Sequence, residues 1–555
     1  METNGARRLL DLLIDHGIDT VTGIPGGSIL PLYDALHSSP IRHVLARHEQ
    51  GAAFIAQGIA RASGKLGVCL ATSGPGATNL LTGLADAWRD SIPLLAITGQ
   101  VPRAHIGTQA FQEIDIASLA RPCCKAVWEI RTAGELDHIV PEAIHCALSG
   151  RPGPVLLDIP KDVFLESCAA GSLPSALPTA RRQASSLELR TASKLLAASN
   201  RPVFYVGGGI HSADAGKALR NFATTRGIPV ASTLLGLGAL PFDHPLHLGM
   251  IGMHGVPAAN LALQECDLLI VAGARFDDRA TGCLASFAPQ AQVIHLDADP
   301  AEFGRQRNAN ATLHGDALAV LEAWHLLDRY EARASWLTRI AALRRNHPLP
   351  PSPMHTLMRR VAEAAPDSIA TTDVGQHQMW AAQAWPVREG RTFLTSGGLG
   401  TMGFGLPAAI GASLASPGRT VICLSGDGSI LMNLQELATL ADLDLPVKIC
   451  VFDNAGLGMV RQQQDLFFGE RHSACRFETR PDLAAIAQGF GIPALRVDEP
   501  MLEDGWRALL SSKGPALLVF KTDPQARVWP VVPAGKANHE MRLPSSTERI
   551  PMLGT

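Results

Sequence analysis

At 555 residues the chain is long enough for three or four domains, each with its own core, which excludes a single small binding module. Hydrophobic residues make up 46%, charged residues 18% and aromatics 5%, beside 52 Gly and 38 Pro, a globular composition and not a disordered one. Lys+Arg 48 against Asp+Glu 51 leaves a formal charge of -3, without the basic excess that neutralises a phosphate backbone, so nucleic acid is not an expected partner.

The opening METNGARRLLDLLIDHG carries Asp11 and Asp15 inside its apolar stretch and reads as an amphipathic helix, not a signal peptide. From Thr20 to about Leu165, β-rich runs such as GVCLAT (67–72), PLLAITG (93–99) and PVLLDIP (154–160) alternate with helix-length segments, the rhythm of a parallel sheet covered on both faces. This predicts a first α/β domain over residues 1–168. Within it, PGGS (25–28) and TSGPGATN (72–79) are glycine-rich strand-to-helix turns, read either as plain tight turns or as loops packed against something flat and polar. Glu49, in ARHEQGAAF, opens a helix after a short β-rich run. On local grounds it is a dipole complement on a solvated surface, and a chemical role needs outside support.

Residues 168–186 are rich in Ser, Pro and small side chains and read as an exposed connection. A second α/β domain follows over 187–345, with VFYVGGG (203–209), DLLIVAG (267–273) and VIHLDAD (293–299) as strands ending in Gly or Asp. After a break at NHPLPPSPMH (346–355), a third runs over 356–535 through SIATTDVG, VICLSGDGS, VKICVFDN and ALLVFKTD, leaving a tail at 536–555. The expected fold class is therefore α/β, three consecutive doubly wound parallel-sheet domains. The long uncharged stretch Thr392 to Gly418 holds seven glycines and two prolines and predicts a loop leading into a helix, not a membrane span. Ten cysteines lie scattered with no C-x-x-C pair, which fits buried thiols in a reducing, cytoplasmic setting.

Ligands bind at the carboxyl ends of strands in open parallel sheets, and the third domain concentrates polar residues there. Asp427 ends one strand in GDGS and Asn454 another in FDN, with Gly456 and Gly458 following. An acid, an amide and free backbone carbonyls make an oxygen cage for a hard cation such as magnesium, which takes its other ligands from water and a phosphate. The plain alternative is a GDG turn and an Asn454 helix cap. GLGTMG (398–403) matches G-x-G-x-x-G, but the next strand-end acid, Asp427, lies beyond the ribose-binding spacing of a dinucleotide loop.

The strings RHEQGAA, TSGPGATNL, ITGQV, AFQE, GRPGPVLLDIPKD, ECDLLIVAGARFDDR, DVGQHQMWAAQ, GLGTMGFGLPAAIGA and SGDGS resemble those of the biosynthetic acetolactate (acetohydroxyacid) synthases, a family of thiamine diphosphate enzymes, and cover residues 20 to 535. The resemblance implies magnesium held by Asp427, Asn454 and the Gly456 carbonyl. It implies a diphosphate site at Gln376, His377, Gly400, Gly426, Gly428, Ser429 and Gly458, with Pro25, Pro75 and Asn79 beside the cofactor. Met402 becomes an apolar wedge that bends the two cofactor rings together, and Glu49, from a facing subunit, the partner of the aminopyrimidine. Gln112, Lys161 and Arg279 are implied as substrate-carboxylate donors, with Phe111, Met253 and Met459 as an apolar wall.

The second domain resembles the family's FAD-binding domain at Arg151, Gly207, Gly208, Met253, His254, Arg275, Asp277, Asp297, Asp316 and Gln378. The implied reaction decarboxylates pyruvate and transfers the two-carbon unit to a second 2-keto acid, pyruvate or 2-ketobutyrate, in a homodimer or homotetramer with a small regulatory subunit. One departure stands out: Gln463 occupies the place of the family's tryptophan in MVRQQQDLFF, which puts acceptor preference in question. Another thiamine diphosphate carboligase or a 2-keto acid decarboxylase is the rival among enzymes. A flavin- or nucleotide-binding module without catalysis is the rival outside them.

Overall fold

A computed structural model of the protein describes residues 2–169, 181–327, 333–500 and 505–544. Three six-stranded sheets follow one another along these residues, and every strand pairing within them is parallel. In space the first sheet runs Arg42–Leu45, Thr20–Gly23, Gly67–Ala71, Leu94–Gln100, Pro154–Pro160 and Ala126–Glu129. The third runs Phe393–Thr395, Ile369–Thr372, Val421–Gly426, Val447–Asp453, Ala516–Lys521 and Ala494–Val497. Numbered from its own first strand, each has the order 2-1-3-4-6-5, so the strand order reverses between its first and third strands. The central sheet has the order 3-2-1-4-5-6, reversing between Pro202–Val206 and Leu268–Ala272. Strands such as Leu94–Gln100 and Pro154–Pro160 are buried at every position, which is why they read as mainly apolar, with Thr98, Gln100 and Asp158 buried among the rest.

The first domain is closed by an antiparallel pair, Glu2–Asn4 with Ser167–Ala169. Residues 170–180 of the expected connection lie outside the described residues. Beyond them the chain is exposed except at Ala184, which is buried in the central core. Of the expected tail, 536–544 packs on the central domain, where Asn538 Nδ2 donates to the Ala280 carbonyl at 2.9 Å, and 545–555 lie outside the described residues.

The first and third domains meet through two helices, Glu49–Ser63 and Gly405–Ala415. A Cβ on Gly411 would fall 2.0 Å from the Ile55 carbonyl oxygen, and one on Gly58 2.2 Å from that of Ala408. Only glycine at both positions lets the backbones touch. All ten cysteines are free thiols. Among the described residues no helix is long and apolar enough to cross a membrane.

Candidate active site

In the third domain the strands Ile369–Thr372 and Val421–Gly426 lie side by side where the order reverses, so Asp373 to His377 and Asp427 to Ser429 share one crevice. Asp427 Oδ2 accepts the Gly456 N–H at 3.0 Å. Burial, with the charge of Asp453 added, pushes the Asp427 carboxyl up to about 7. Asn454 donates through Nδ2 to Gln376 Oε1 at 3.2 Å, and its Oδ1 is sealed from solvent without a hydrogen-bond partner among the described residues. His377 stacks on Phe452 at 6.4 Å, and burial pushes its imidazole down to about 3, so it is neutral. Its Nε2 is likewise buried and unpartnered among the described residues. Buried polar atoms in folded proteins are nearly always bonded, so two such atoms in one crevice point to an absent ligand. Among the described residues no cluster of three His, Cys, Asp or Glu could hold a metal, and the oxygen set here needs only one carboxylate.

Gln376, expected at the diphosphate, has both amide hydrogens engaged by protein: Nε2 donates to Gln462 Oε1 at 2.9 Å and to the Ala526 carbonyl at 2.8 Å. Ser429 Oγ donates to the Val374 carbonyl at 2.9 Å. Gln378, expected at a flavin, donates to Thr395 Oγ1 and the Ser396 carbonyl at 2.8 and 3.1 Å.

The loop bearing Met402 is held from both sides by residues that spacing did not single out. Asp373 accepts the Gly403 N–H at 2.7 Å and the Ser425 hydroxyl at 3.1 Å, while Asn433 Nδ2 donates to the Gly403 carbonyl at 2.8 Å. From the first domain, Asp90 accepts the N–H groups of Gly397 and Gly398, and Asp86 accepts the hydroxyls of Ser396 and Thr401. Arg61 bridges both acids at 3.0 and 2.9 Å, fully buried with them. Asp373 could have been found by the signal that found Asp427, a carboxylate ending a strand. Arg61, Asp86 and Asp90 lie on helices and look like ordinary surface charges, and Asn433 is an uncharged amide between two helices.

The central domain repeats the strand-end design. A Cβ on Gly207 would fall 2.4 Å from the Gly273 carbonyl oxygen, so the VGGG turn packs backbone on backbone. Arg151 stacks over Trp88 at 5.1 Å and donates to Glu302 at 3.3 Å, and Arg275 donates to the Arg89 carbonyl at 2.7 Å. Asp277 caps the short helix Asp278–Thr281, and Asp316 accepts from Arg181 at 3.1 Å. Burial pushes Asp297 up to about 6. His254 Nδ1 lies 2.9 Å from the Pro530 carbonyl, and Arg279 Nη1 3.6 Å from Met253 Sδ.

One cavity of about 1190 Å³ joins these two regions, and every candidate of the second and third domains lines it, Gly400, Gly426, Met459 and Gln463 included, together with Arg151 of the first domain. Glu49, Pro25, Pro75, Asn79, Phe111, Gln112 and Lys161 do not line it. They gather instead at the carboxyl ends of the first sheet. There Glu49 Oε2 accepts from Asn79 Nδ2 at 2.9 Å, a Cβ on Gly76 would meet Glu49 Oε1 at 3.3 Å, and Gln112 presses on Gly74 of the TSGPG turn. Phe111 is 88% exposed. The helix carrying Glu49 is fixed at its start by Glu436, which accepts the Arg47 and His48 N–H groups at 3.0 and 3.1 Å.

Residues 3–119 match the thiamine pyrophosphate enzyme N-terminal TPP binding domain, 189–324 the central domain, and 373–520 the C-terminal TPP binding domain. The chain is 49% identical to the acetolactate synthase isozyme 2 large subunit of Escherichia coli K12, over 97% of its own length and 99% of the relative's. It is 48% identical to the isozyme 1 large subunit of that organism, over 97% of each chain. To the probable acetolactate synthase large subunit of Methanocaldococcus jannaschii it is 44% identical, over 96% of this chain and 94% of the relative.

Proposed function

The chain belongs to the thiamine pyrophosphate enzymes and, within them, to the acetolactate synthase large subunits, and on that premise we propose that it condenses two 2-keto acids with loss of carbon dioxide. Two pyruvates give acetolactate, and pyruvate with 2-ketobutyrate gives acetohydroxybutyrate. Atoms balance with one carbon dioxide released, and no oxidant is needed. The observation that carries the placement of the chemistry is the buried, unpartnered Asn454 Oδ1 in the same crevice as Asp427.

Asp427, Asn454 Oδ1 and the Gly456 carbonyl would hold magnesium, and His377 Nε2 with the backbone at Gly428 and Ser429 would receive the diphosphate. Bound thiamine diphosphate supplies the nucleophilic carbon for decarboxylation and transfer. Glu49, its Oε2 oriented by Asn79, would hydrogen-bond the ring nitrogen at the far end of the bound cofactor. Met402, its loop fixed by Asp373, Asp86 and Asp90, would be the apolar side chain against the rings of the bound cofactor. Gln112, Lys161 and Arg279 orient the substrate carboxylates, while Phe111, Met253 and Met459 exclude water from the apolar side. The glycine turn at Gly207 and Gly208 with Arg151, Arg275 and Asp316 would seat FAD, which takes no part in the net reaction.

Glu49 and its neighbours stand outside the cavity of their own chain, which supports a homodimer whose partner supplies them, alone or paired again as a tetramer. The relatives are named large subunits, which supports a smaller regulatory partner. Ten free thiols support a cytoplasmic setting.

Turnover of pyruvate with and without thiamine diphosphate, magnesium and FAD, with products identified, tests this. Acetolactate dependent on the first two is expected, and acetaldehyde as the main product overturns it in favour of a decarboxylase. Glu49→Gln is expected to bind cofactor and lose carboligation.

A further inference from the structure

The orientation of an amide is fixed only where something beyond another amide dictates it. Gln462, 3% exposed on the helix Gly458–Phe467, is such an amide. The Val528 N–H donates to its Oε1 at 2.9 Å, and its Nε2 donates to the Val528 carbonyl at 2.9 Å. Backbone N–H can only donate and backbone carbonyl only accept, so Gln462 cannot be turned round. Its Oε1 also faces Gln376, which must therefore present its NH2 group there, and the Ala526 carbonyl on the same nitrogen requires the same. Gln376 Oε1 is then left toward Asn454, which must present Nδ2, and Asn454 Oδ1 is turned the other way. A Cβ on Gly458 would fall 2.1 Å from Gln376 Oε1 and 2.3 Å from Asn454 Nδ2, so the glycine that opens the helix gives the chain of amides its room.

We propose that Gln462 is a positioning residue for the metal: through Gln376 it holds the Asn454 oxygen, and not its NH2, toward the cation. The inference rests on the magnesium site proposed above. Groups that orient metal ligands from behind typically change metal affinity 10–100-fold when removed. The next residue along, Gln463, faces the cavity, so one helix carries both the anchor of the metal ligand and a wall of the acceptor pocket.

The test is equilibrium binding of thiamine diphosphate to the full chain, followed by tryptophan fluorescence as Mg2+ is titrated, with FAD binding measured alongside. Gln462→Leu is expected to raise half-saturating Mg2+ by roughly 10-fold or more, to leave half-saturating FAD unchanged, and to recover thiamine diphosphate binding at excess Mg2+. The double variant Gln462→Leu/Gln376→Leu is expected to bind Mg2+ no more weakly than Gln376→Leu alone, because both changes cut the same relay. An unchanged Mg2+ requirement in Gln462→Leu, additive losses in the double variant, or an equal loss of FAD overturns the proposal. If Gln462→Leu does not fold, Gln462→Met decides in its place: half-saturating Mg2+ raised roughly 10-fold or more with FAD binding unchanged supports the relay, and an unchanged Mg2+ requirement sinks it. Asp427→Asn separates the two levels. If it binds like wild type, the metal site itself is wrong. If it loses Mg2+ while Gln462→Leu does not, only the relay falls.

Discussion

Gly398 donates its backbone N–H to Asp90 Oδ1 at 2.7 Å, a hydrogen bond between the first and third domains across 308 residues of chain. Asp90 also accepts from Gly397 at 3.0 Å and from Arg61 at 2.9 Å, which Asp86 shares. The loop that carries Met402 is thereby part of the first domain's packing as much as the third's.

Asp90→Asn is expected to cost about 1–3 kcal/mol, because an NH2 group must then face one of those donors, while Arg61 keeps Asp86 as its partner. The exposed pair of Arg47 with Asp442 offers the contrast. Asp442→Asn is expected to cost about 0–1 kcal/mol, as its carboxylate stands in water. Urea midpoints of the two variants decide the matter, and equal losses contradict the clamp.

Gly458→Ala puts a methyl group against Gln376 and Asn454 without touching the core. A folded protein is expected, with binding of thiamine diphosphate and magnesium weakened roughly 10–100-fold. At Gly489, near the end of the helix Leu483–Gly489, a Cβ meets nothing within 4 Å, and Gly489→Ala is expected to bind like wild type. Binding titrations of both variants check the pair, and an undiminished Gly458→Ala contradicts it.

What spacing could reveal, it revealed: buried parallel strands announce themselves as apolar runs, and strand-end glycines and acids such as Asp427 mark the crevice. What it left hidden are contacts whose partners lie hundreds of residues apart. Asp86 and Asp90 sit on an amphipathic helix and Glu436 opens another, so each reads as a solvated charge until the third domain folds over the first. Gln462 carries no charge and no motif, and its role exists only because Val528 passes beside it. Gln376 shows the converse. Expected in the diphosphate site, it lines the cavity with both amide hydrogens held by protein partners, a restraint that spacing does not show.

Burial pushes the Asp158 carboxyl up to about 6, against hydrogen bonds from Thr98 Oγ1 at 2.7 Å and Gln100 Nε2 at 3.0 Å. The unfolded chain ionises near 3.9, so the folded form binds the proton more tightly. Ionised Asp158 therefore costs stability above about pH 6, and the cost is relieved as the pH falls from 6 toward 4. Asp158→Asn removes a penalty of up to about 3 kcal/mol at pH 7, and the Thr98 hydroxyl can reverse to accept from the new amide. Its advantage over wild type is expected to be larger at pH 7 than at pH 5 in urea unfolding. A gap of the same size at both pH values contradicts the assignment.

Gln463 is exposed on the cavity side of the helix Gly458–Phe467, with Met459 and Val460 beside it on the same wall, while the neighbouring Gln462 is buried against Val528. A short polar amide there offers the acceptor's extra methyl group little apolar surface. 2-Ketobutyrate differs from pyruvate by one methylene, and a contact of that size in an apolar pocket is worth about 1–3 kcal/mol, or roughly 10–200-fold in discrimination. The wild-type enzyme is therefore expected to form acetohydroxybutyrate and acetolactate without strong preference when both keto acids compete. Gln463→Trp is expected to shift the product ratio toward acetohydroxybutyrate by roughly 10-fold or more, with little change in turnover of pyruvate alone. Competition assays on the two proteins measure this directly. A wild-type enzyme already strongly biased to acetohydroxybutyrate, or a ratio unmoved by tryptophan, would mean that another part of the cavity reads the acceptor.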